Sequence, residues 1–498
     1  MSEDPPGSFS FRTTNVRIKV NAIMNQITDT LSGSGSPSLK PKVLNFVELL
    51  AQNIAMISPT MTAALIVPLM FSNSGNMSWL SYAVATVMLL FVAYNLNQFA
   101  KRGAGTGSMY SYTCSGLGAG AGSMCGWCLV WAYLFIGIAG TTGFTIFADT
   151  LLQMVHIHAP PVLLFAVCVG GCFYIGYQDI KISTLVSLVL EGISVLFILI
   201  LAFIVLGKTQ FTPDPAQFAF KSVSLSSLGL GIVVAIFSLV GFESSTAFGD
   251  EAKDPLKTIP RSINWSLIVT GLFFVFITYV EVLGTHGYSQ TLDQLGAPLN
   301  TLAERYGVSA FAPVVSAGAM LSFFALAMAC INSGARVMFA MGRHDFFPRS
   351  TSAVHKVHET PHVALAVMSA LVFGVATVCK MKHFGMEVLD IFNDAGTMGA
   401  FGFLGAYFLV TIAAPVFLKK RKEMKVKDVV FCVAGVLLML IPAVGSVYPV
   451  PAPPLNYYPY VFLGYLFLGG LRLLLMYIAK PERHQAISAE TTKAFSQA

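Results

Sequence analysis

Residues 235–262 read "AIFSLVGFESSTAFGDEAKDPLKTIPRS", an apolar helix that runs into a charged loop. Between the two halves stand Gly241, Phe242, Glu243, Ser244 and Ser245. A glycine, a carboxylate and two hydroxyls interrupt a helix that would otherwise be uniformly apolar. What that interruption means depends on the solvent around the helix.

Composition answers that. Of 498 residues, 55% are apolar and only 11% are charged. Soluble domains carry roughly 25% charged residues, so this chain cannot supply the polar shell a soluble protein of its length needs. Runs of about 20 apolar residues recur, each long enough to cross a hydrocarbon core of roughly 30 Å. The chain reads as an all-α polytopic membrane protein. Its net charge of +6 is read by topology rather than as a sign of nucleic-acid binding.

Twelve transmembrane helices are expected, at 43–71, 78–99, 124–148, 160–177, 183–206, 226–248, 263–283, 310–340, 361–379, 386–417, 428–447 and 457–479. These are spans 1 to 12. An even number puts both termini on one side. The connections after even-numbered spans through span 10 hold fifteen Lys and Arg, including the cluster from Lys419 to Lys427. The opposite connections hold five: Lys208, Lys221, Arg305, Lys380 and Lys382. The positive-inside rule then makes both termini cytoplasmic. Residues 1–42 lack the apolar core and cleavage site of a secretory signal and read as a cytoplasmic tail. Residues 480–498 read as a second cytoplasmic tail.

Several features imitate chemistry. Cys125 and Cys128 form a C-x-x-C, but in an uncharged span without the strand pattern a redox motif requires. They read as small apolar residues on one helix face. His156 and His158 lack a nearby third ligand for a metal and read as a solvated external loop. The Gly-rich run 102–123 has no G-K-S/T ending and suits close helix packing better than phosphate binding. No resident cofactor or metal is expected.

Two spans are interrupted in roughly their middle third. Span 1 has Ser58, Pro59 and Thr60, and Pro59 removes a backbone donor and clashes with the preceding turn. Span 6 has Gly241 at the corresponding place. Irregular backbone at membrane depth is tolerated only where it is buried or lines a polar cavity. Spans 1 and 6 open two possible five-span halves, and paired interruptions of this kind point to a transporter's midplane site.

Three segments now carry a specific resemblance. "IFSLVGFESSTAFGDEAKDPLKTIPRSI" (236–263) resembles the sixth span and following loop of the amino acid–polyamine–organocation (APC) transporter superfamily. "CINSGARVMFAMGRHDFFP" (330–348) is similar to that family's end of span 8, and "TGSMYSYTCSGLGAGAGSMCGWCLVW" (106–131) to its approach to span 3. They fall in the family's order, and the likeness covers roughly residues 43–480. The resemblance implies a leucine-transporter-like five-plus-five inverted repeat, residues 43–206 and 226–417, with two additional helices in 428–479. It further implies an amino acid permease with substrate between the unwound centres of spans 1 and 6. Free N–H groups and the positive dipole at half-helix N-termini suit a carboxylate. On this likeness Ile57, Ser58, Pro59 and Thr60 line one side, with Ser58 and Thr60 supplementing the carboxylate contacts. Ser238, Val240 and Gly241 supply carbonyls to an ammonium, Phe237 closes over the substrate, and Phe242 is either a pocket wall or ordinary packing. One departure stands out: Met56-Ile57-Ser58-Pro59-Thr60 replaces a glycine-rich segment, which leaves fewer close N–H donors.

Intramembrane carboxylates are costly and are functional candidates by default. Glu191 is the deepest, the sole charge between Lys181 and Lys208. Members of the resembled family have a lysine near this place, so a glutamate is a second departure and a candidate for proton or cation coupling. Glu243 matches the family's span 6 glutamate, with an interhelical strut as the competing reading. Asp390, Asp394 and Glu281 read as solvated helix ends, and Arg336 and Arg343 as anchors of the inner end of span 8.

The leading expectation is a proton-coupled secondary transporter of an amino acid or related amine. Its partners would be that small molecule, protons or another cation, and membrane lipid, with no nucleic acid. Exchange without ion coupling is the alternative, and a membrane thiol enzyme using Cys125 and Cys128 the remote one. A bacterial inner membrane is the expected location. Replacing Cys125 and Cys128 together by Ser separates the classes: uptake should survive, whereas thiol chemistry would vanish.

Overall fold

The computed structural model describes Leu39, residues 42–105, 107–219, 225–295, 297–381, 385–448, Val450, 453–479 and Ile487. Both expected tails fall almost wholly outside the described residues. The described residues from Leu39 onward form one compact unit.

Span 1 begins at an N-cap. Asn45 accepts from the Val47 N–H at 2.7 Å, and Glu48 reaches back to the Asn45 N–H at 2.9 Å. This capping box satisfies two donors that helix geometry leaves unpaired. The apolar helical stretch that follows, Phe46–Ala100, is 55 residues long. At about 1.5 Å per residue it would be some 80 Å, far more than one bilayer. It turns at Gly75–Met77, where Gly75 takes a φ of 54° that other residues adopt reluctantly. Spans 1 and 2 therefore separate there.

Among the described residues ten further stretches are long and apolar enough to cross a membrane. They include Ala119–Met154, Ile180–Lys208, Pro255–Thr285, Phe311–Arg343 and Val388–Lys420, which are spans 3, 5, 7, 8 and 10. The total is the expected twelve. Several helices overrun their expected bounds, most clearly span 3. Apolar composition marks hydrocarbon thickness, whereas helical hydrogen bonding continues beyond it. Among the described residues no strand occurs, only an isolated parallel bridge between Leu44 and Ala252.

Span 3 packs closely against spans 8 and 10. A Cβ on Gly140 would lie 2.8 Å from the Ala327 backbone, and one on Gly402 would lie 2.6 Å from the Cys128 carbonyl. The Gly-rich approach to span 3 behaves likewise, with Gly116 against Ala413. Small residues let membrane helices approach where water supplies no driving force. At the periphery, span 12 exposes apolar side chains such as Phe467 at 70%, as a lipid-facing helix would.

Around the N-terminal end of span 1 the bundle is tied shut. Val43 and Leu44 donate to the Glu251 carbonyl at 2.8 and 2.9 Å, and Lys253 donates to the Leu44 carbonyl at 2.6 Å. Arg336 of span 8 grips the Glu251 carboxylate with two nitrogens at 2.6 and 2.7 Å. Its guanidinium lies 4.3 Å from the Phe248 ring centroid. Both charges are buried. Arg336 thus anchors span 8 as expected, while Arg343 is exposed.

Removing one member of a buried pair strands the other charge, at a cost of about 3–5 kcal/mol. Arg336→Ala should therefore lower the Tm of the purified protein strongly. The paired change of Arg336→Met with Glu251→Leu should recover most of that loss in the same thermal melt.

Candidate functional site

The break in span 1 follows from three residues. The first helical piece, Phe46–Ile57, closes with the Ser58 N–H on the Ile54 carbonyl at 2.8 Å. Ser58 turns left-handed at φ 50°. Pro59 then sits at the first position of the next piece, Pro59–Met61, where its missing N–H costs nothing. A π-helical turn, Thr62–Ile66, continues the span.

The freed donors meet a carboxylate. Thr60 donates through both its N–H and its hydroxyl to Glu191 Oε1, each at 3.2 Å. The Ser322 hydroxyl donates to Glu191 Oε2. Thr60 Oγ1 lies 2.7 Å from Ser194 Oγ, and Ser58 Oγ 3.1 Å from Ser322 Oγ. Spans 1, 5 and 8 therefore converge on Glu191, which is 2% exposed. Pro59 and Glu191 also line a cleft of about 560 Å³, apolar apart from Glu191 and Thr270, with Ala51, Phe203 and Phe273. Ile57 is buried beside the break.

Span 6 breaks after its helix Leu225–Leu239. Gly241 has φ 91°, and a Cβ there would collide with Met56 of span 1. The two breaks thus abut. The Gly241 N–H donates to the Tyr407 hydroxyl at 3.2 Å, and that hydroxyl donates to Glu243 Oε2 at 2.6 Å. Glu243 is fully buried, and among the described residues its Oε1 has no hydrogen-bond partner. Phe242 is fully buried, 5.5 Å from the Tyr407 ring, and its carbonyl accepts from Ser266. Val240 closes the helix on the Ile236 carbonyl at 3.1 Å. Beyond the break, Asn53 of span 1 accepts from the Ser245 N–H at 2.6 Å and the Ser244 hydroxyl at 3.1 Å.

On the N-terminal side of the break, Ser238 pairs its hydroxyl with that of Tyr82 at 3.0 Å. Phe237 packs on Gly396 of span 10 and lines a cavity of about 350 Å³ with Asp390, Asn393, Asp394 and Thr397. Asp390 is exposed, as expected of a helix end, while Asp394 is half-buried on the cavity wall.

Glu281 corrects an expectation. Instead of a solvated end of span 7 it is a fully buried side chain, and among the described residues neither carboxylate oxygen has a hydrogen-bond partner. Proximity to a helix end misled, because Asp214 and Gln217 bond to Tyr279 and Tyr306 bonds to Gly284, covering that end. The partners Asn53, Ser322 and Tyr407 were also missed. Asn53 carried a signal as a polar residue inside an apolar run, whereas Tyr407 carried none. Cys125 and Cys128 are buried free thiols, and His156 and His158 are exposed.

Residues 49–450 match the family described as "Amino acid permease". The chain belongs to the amino acid permease family. It is accordingly a multi-pass membrane transporter and not an enzyme. It is 25% identical over 364 residues to the branched-chain amino acid permease BcaP of Bacillus subtilis, covering 69% of this chain and 74% of that one. It is 23% identical over 409 residues to the methylthioribose transporter of the same organism, covering 80% and 86%. Among solved structures it is similar to a Na+-coupled sialic acid symporter in its substrate-bound outward-open state, with a TM-score of 0.51 at 13% identity. That likeness covers 90% of this permease and 99% of the symporter and concerns the fold alone. The fold is the leucine-transporter-like inverted repeat with two added helices.

Tyr407→Phe would leave the Gly241 N–H and Glu243 without their shared partner, at about 1–3 kcal/mol. Gly241→Ala would combine left-handed strain with the clash on Met56. Uptake compared at equal membrane expression should fall in the first variant and further in the second.

Proposed function

We propose that this permease carries an amino acid or related amine by alternating access, driven by protons, with substrate held between the broken centres of spans 1 and 6. The observation that carries this reading is the direct abutment of the two breaks, each with a buried carboxylate attached. In this assignment the five-helix repeats are 43–206 and 226–417, and residues 428–479 flank them. The tails 1–42 and 480–498 face the cytoplasm, in a bacterial inner membrane.

The substrate carboxylate would approach the start of the outer half of span 1, at Ile57, Ser58, Pro59 and Thr60. Its ammonium would meet carbonyls of Ser238, Val240 and Gly241. Phe237 would close from the cavity side, and Phe242 would wall the pocket. Glu191 competes for the Thr60 N–H and hydroxyl that a substrate carboxylate would use. Proton uptake by Glu191 would weaken that competition, which couples protonation to substrate binding. Glu243, bonded through Tyr407 to the Gly241 N–H, would pass the state of the span 6 break towards the closed end. The tie of Glu251 to Arg336 and to Val43 and Leu44 would be the inner gate. The names of the two relatives, a branched-chain amino acid permease and a methylthioribose transporter, support a small organic substrate and leave its side chain open.

A second reading is exchange without a coupling ion. It is favoured by the three hydrogen bonds on Glu191, which would suit a permanent strut between spans 1, 5 and 8. Uptake of pooled radiolabelled amino acids and amines into proteoliposomes, with and without an inward proton gradient, separates the two. Gradient-stimulated accumulation that is lost in Glu191→Gln supports coupling through that residue. Exchange that ignores the gradient and survives the substitution would replace proton coupling with antiport.

A further inference from the structure

Glu281 lies in "GLFFVFITYVEVLGT", residues 271–285, outside the assignments above. Phe274, Thr278, Glu281 and Thr285 follow one another by four, three and four residues and share one face of span 7. That face is buried along its length. Phe274 packs on Tyr82 of span 2 with ring centroids 5.1 Å apart, and Tyr82 bonds Ser238 of span 6. The face therefore leads to the helix end just before the span 6 break.

Among the described residues, no donor reaches either oxygen of Glu281, and the Thr278 hydroxyl on the same face is also without a partner. The charged and titratable groups packed around the outer end of span 7 are engaged elsewhere. Asp214 faces His286 at 3.2 Å, and its N–H donates to the Tyr279 hydroxyl at 3.1 Å. Arg305 donates to the His286 carbonyl at 2.6 Å and lies over Tyr288 and Tyr306, whose hydroxyl donates to the Gly284 carbonyl at 3.2 Å. Lys208 at the end of span 5 is exposed. Residues 62–74 of span 1 and the span 6 helix Leu225–Leu239 carry no titratable side chain. Tyr82 of span 2, the nearest titratable group on Phe274, gives its hydroxyl hydrogen bond to Ser238.

An ionised carboxylate buried without a partner is far costlier than the neutral acid. Glu191 and Glu243 each keep at least one donor; Glu281 keeps none. A strut would be hydrogen-bonded, so a side chain retained in this state has no structural bond to explain it. We propose that Glu281 is a second proton-binding site of the permease, loaded with a proton while the Tyr82–Ser238 contact is packed. When span 6 moves and water reaches the face, the carboxylic acid O–H bond breaks and the proton passes to water. The carboxylate that remains takes a proton back before the contact can re-form. The transport role of this step rests on the proton-coupled reading above, whereas the proton occupancy does not.

Infrared spectroscopy of the purified full chain in lipid at neutral pH tests the occupancy. The carbonyl stretch of a free, protonated carboxyl should be present in the wild type and in Glu191→Gln. It should be lost in both Glu281→Gln and Glu281→Met; the second variant serves if the first fails to fold. Absence of the band from the wild type, or its persistence in a folded Glu281 variant, overturns the site. In proteoliposomes given the same pooled radiolabelled probes, Glu281→Gln should lose stimulation by the inward proton gradient while keeping exchange of internal for external substrate. Retained stimulation overturns its part in the cycle. If the wild type itself ignores the gradient, proton coupling falls together with that part, and the infrared band still decides whether Glu281 holds a proton.

Discussion

Everything in this bundle depends on one constraint: inside a hydrocarbon layer, backbone polar groups must find partners within the protein. A straight helix meets that requirement by itself. Spans 1 and 6 do not, because Ser58–Pro59 and Gly241 interrupt their ladders. The freed groups must then recruit side chains from other spans, and those recruits define the centre of the molecule. Thr60 draws in Glu191 of span 5 and, through it, Ser322 of span 8. Gly241 draws in Tyr407 of span 10, which in turn holds Glu243.

The buried carboxylates can be ranked by what holds them. Glu251 has a bidentate arginine and carries its charge in a full ion pair. Among the described residues Glu191 has three donors, Glu243 is held by Tyr407, and Glu281 has none. The cost of burying a charge falls as donors are added. The series therefore runs from a fixed tie, through groups poised between strut and carrier, to a group that nothing in its surroundings holds in charged form. The ion pair closes one end of the bundle, Glu191 and Glu243 flank the breaks, and Glu281 lies on the far side of Ser238 near the other end.

Much of this was legible in the chain itself. A charge content below half the soluble norm requires a membrane environment, and the apolar runs then count the crossings. Pro59 and Gly241 mark the breaks because each carries a local backbone rule that holds in any helix. The motifs at 236–263, 330–348 and 106–131 carried the family. Arg336 was placed correctly as an anchor, although its partner was not named. Glu281 was misplaced, and Tyr407, Asn53 and Ser322 were not singled out.

The division has a physical cause. Solvent preference, helix length and helix breaking are properties of a residue and its near neighbours, so the sequence by itself determined the membrane setting, the crossings and the two interruptions. Pairing is different, since Gly241 and Tyr407 are 166 residues apart and Thr60 and Glu191 are 131 apart. Whether a carboxylate is bonded, paired or stranded depends on which helices pack around it. Only the tertiary structure decided that Arg336 holds Glu251, that Thr60 holds Glu191, and that no donor among the described residues holds Glu281.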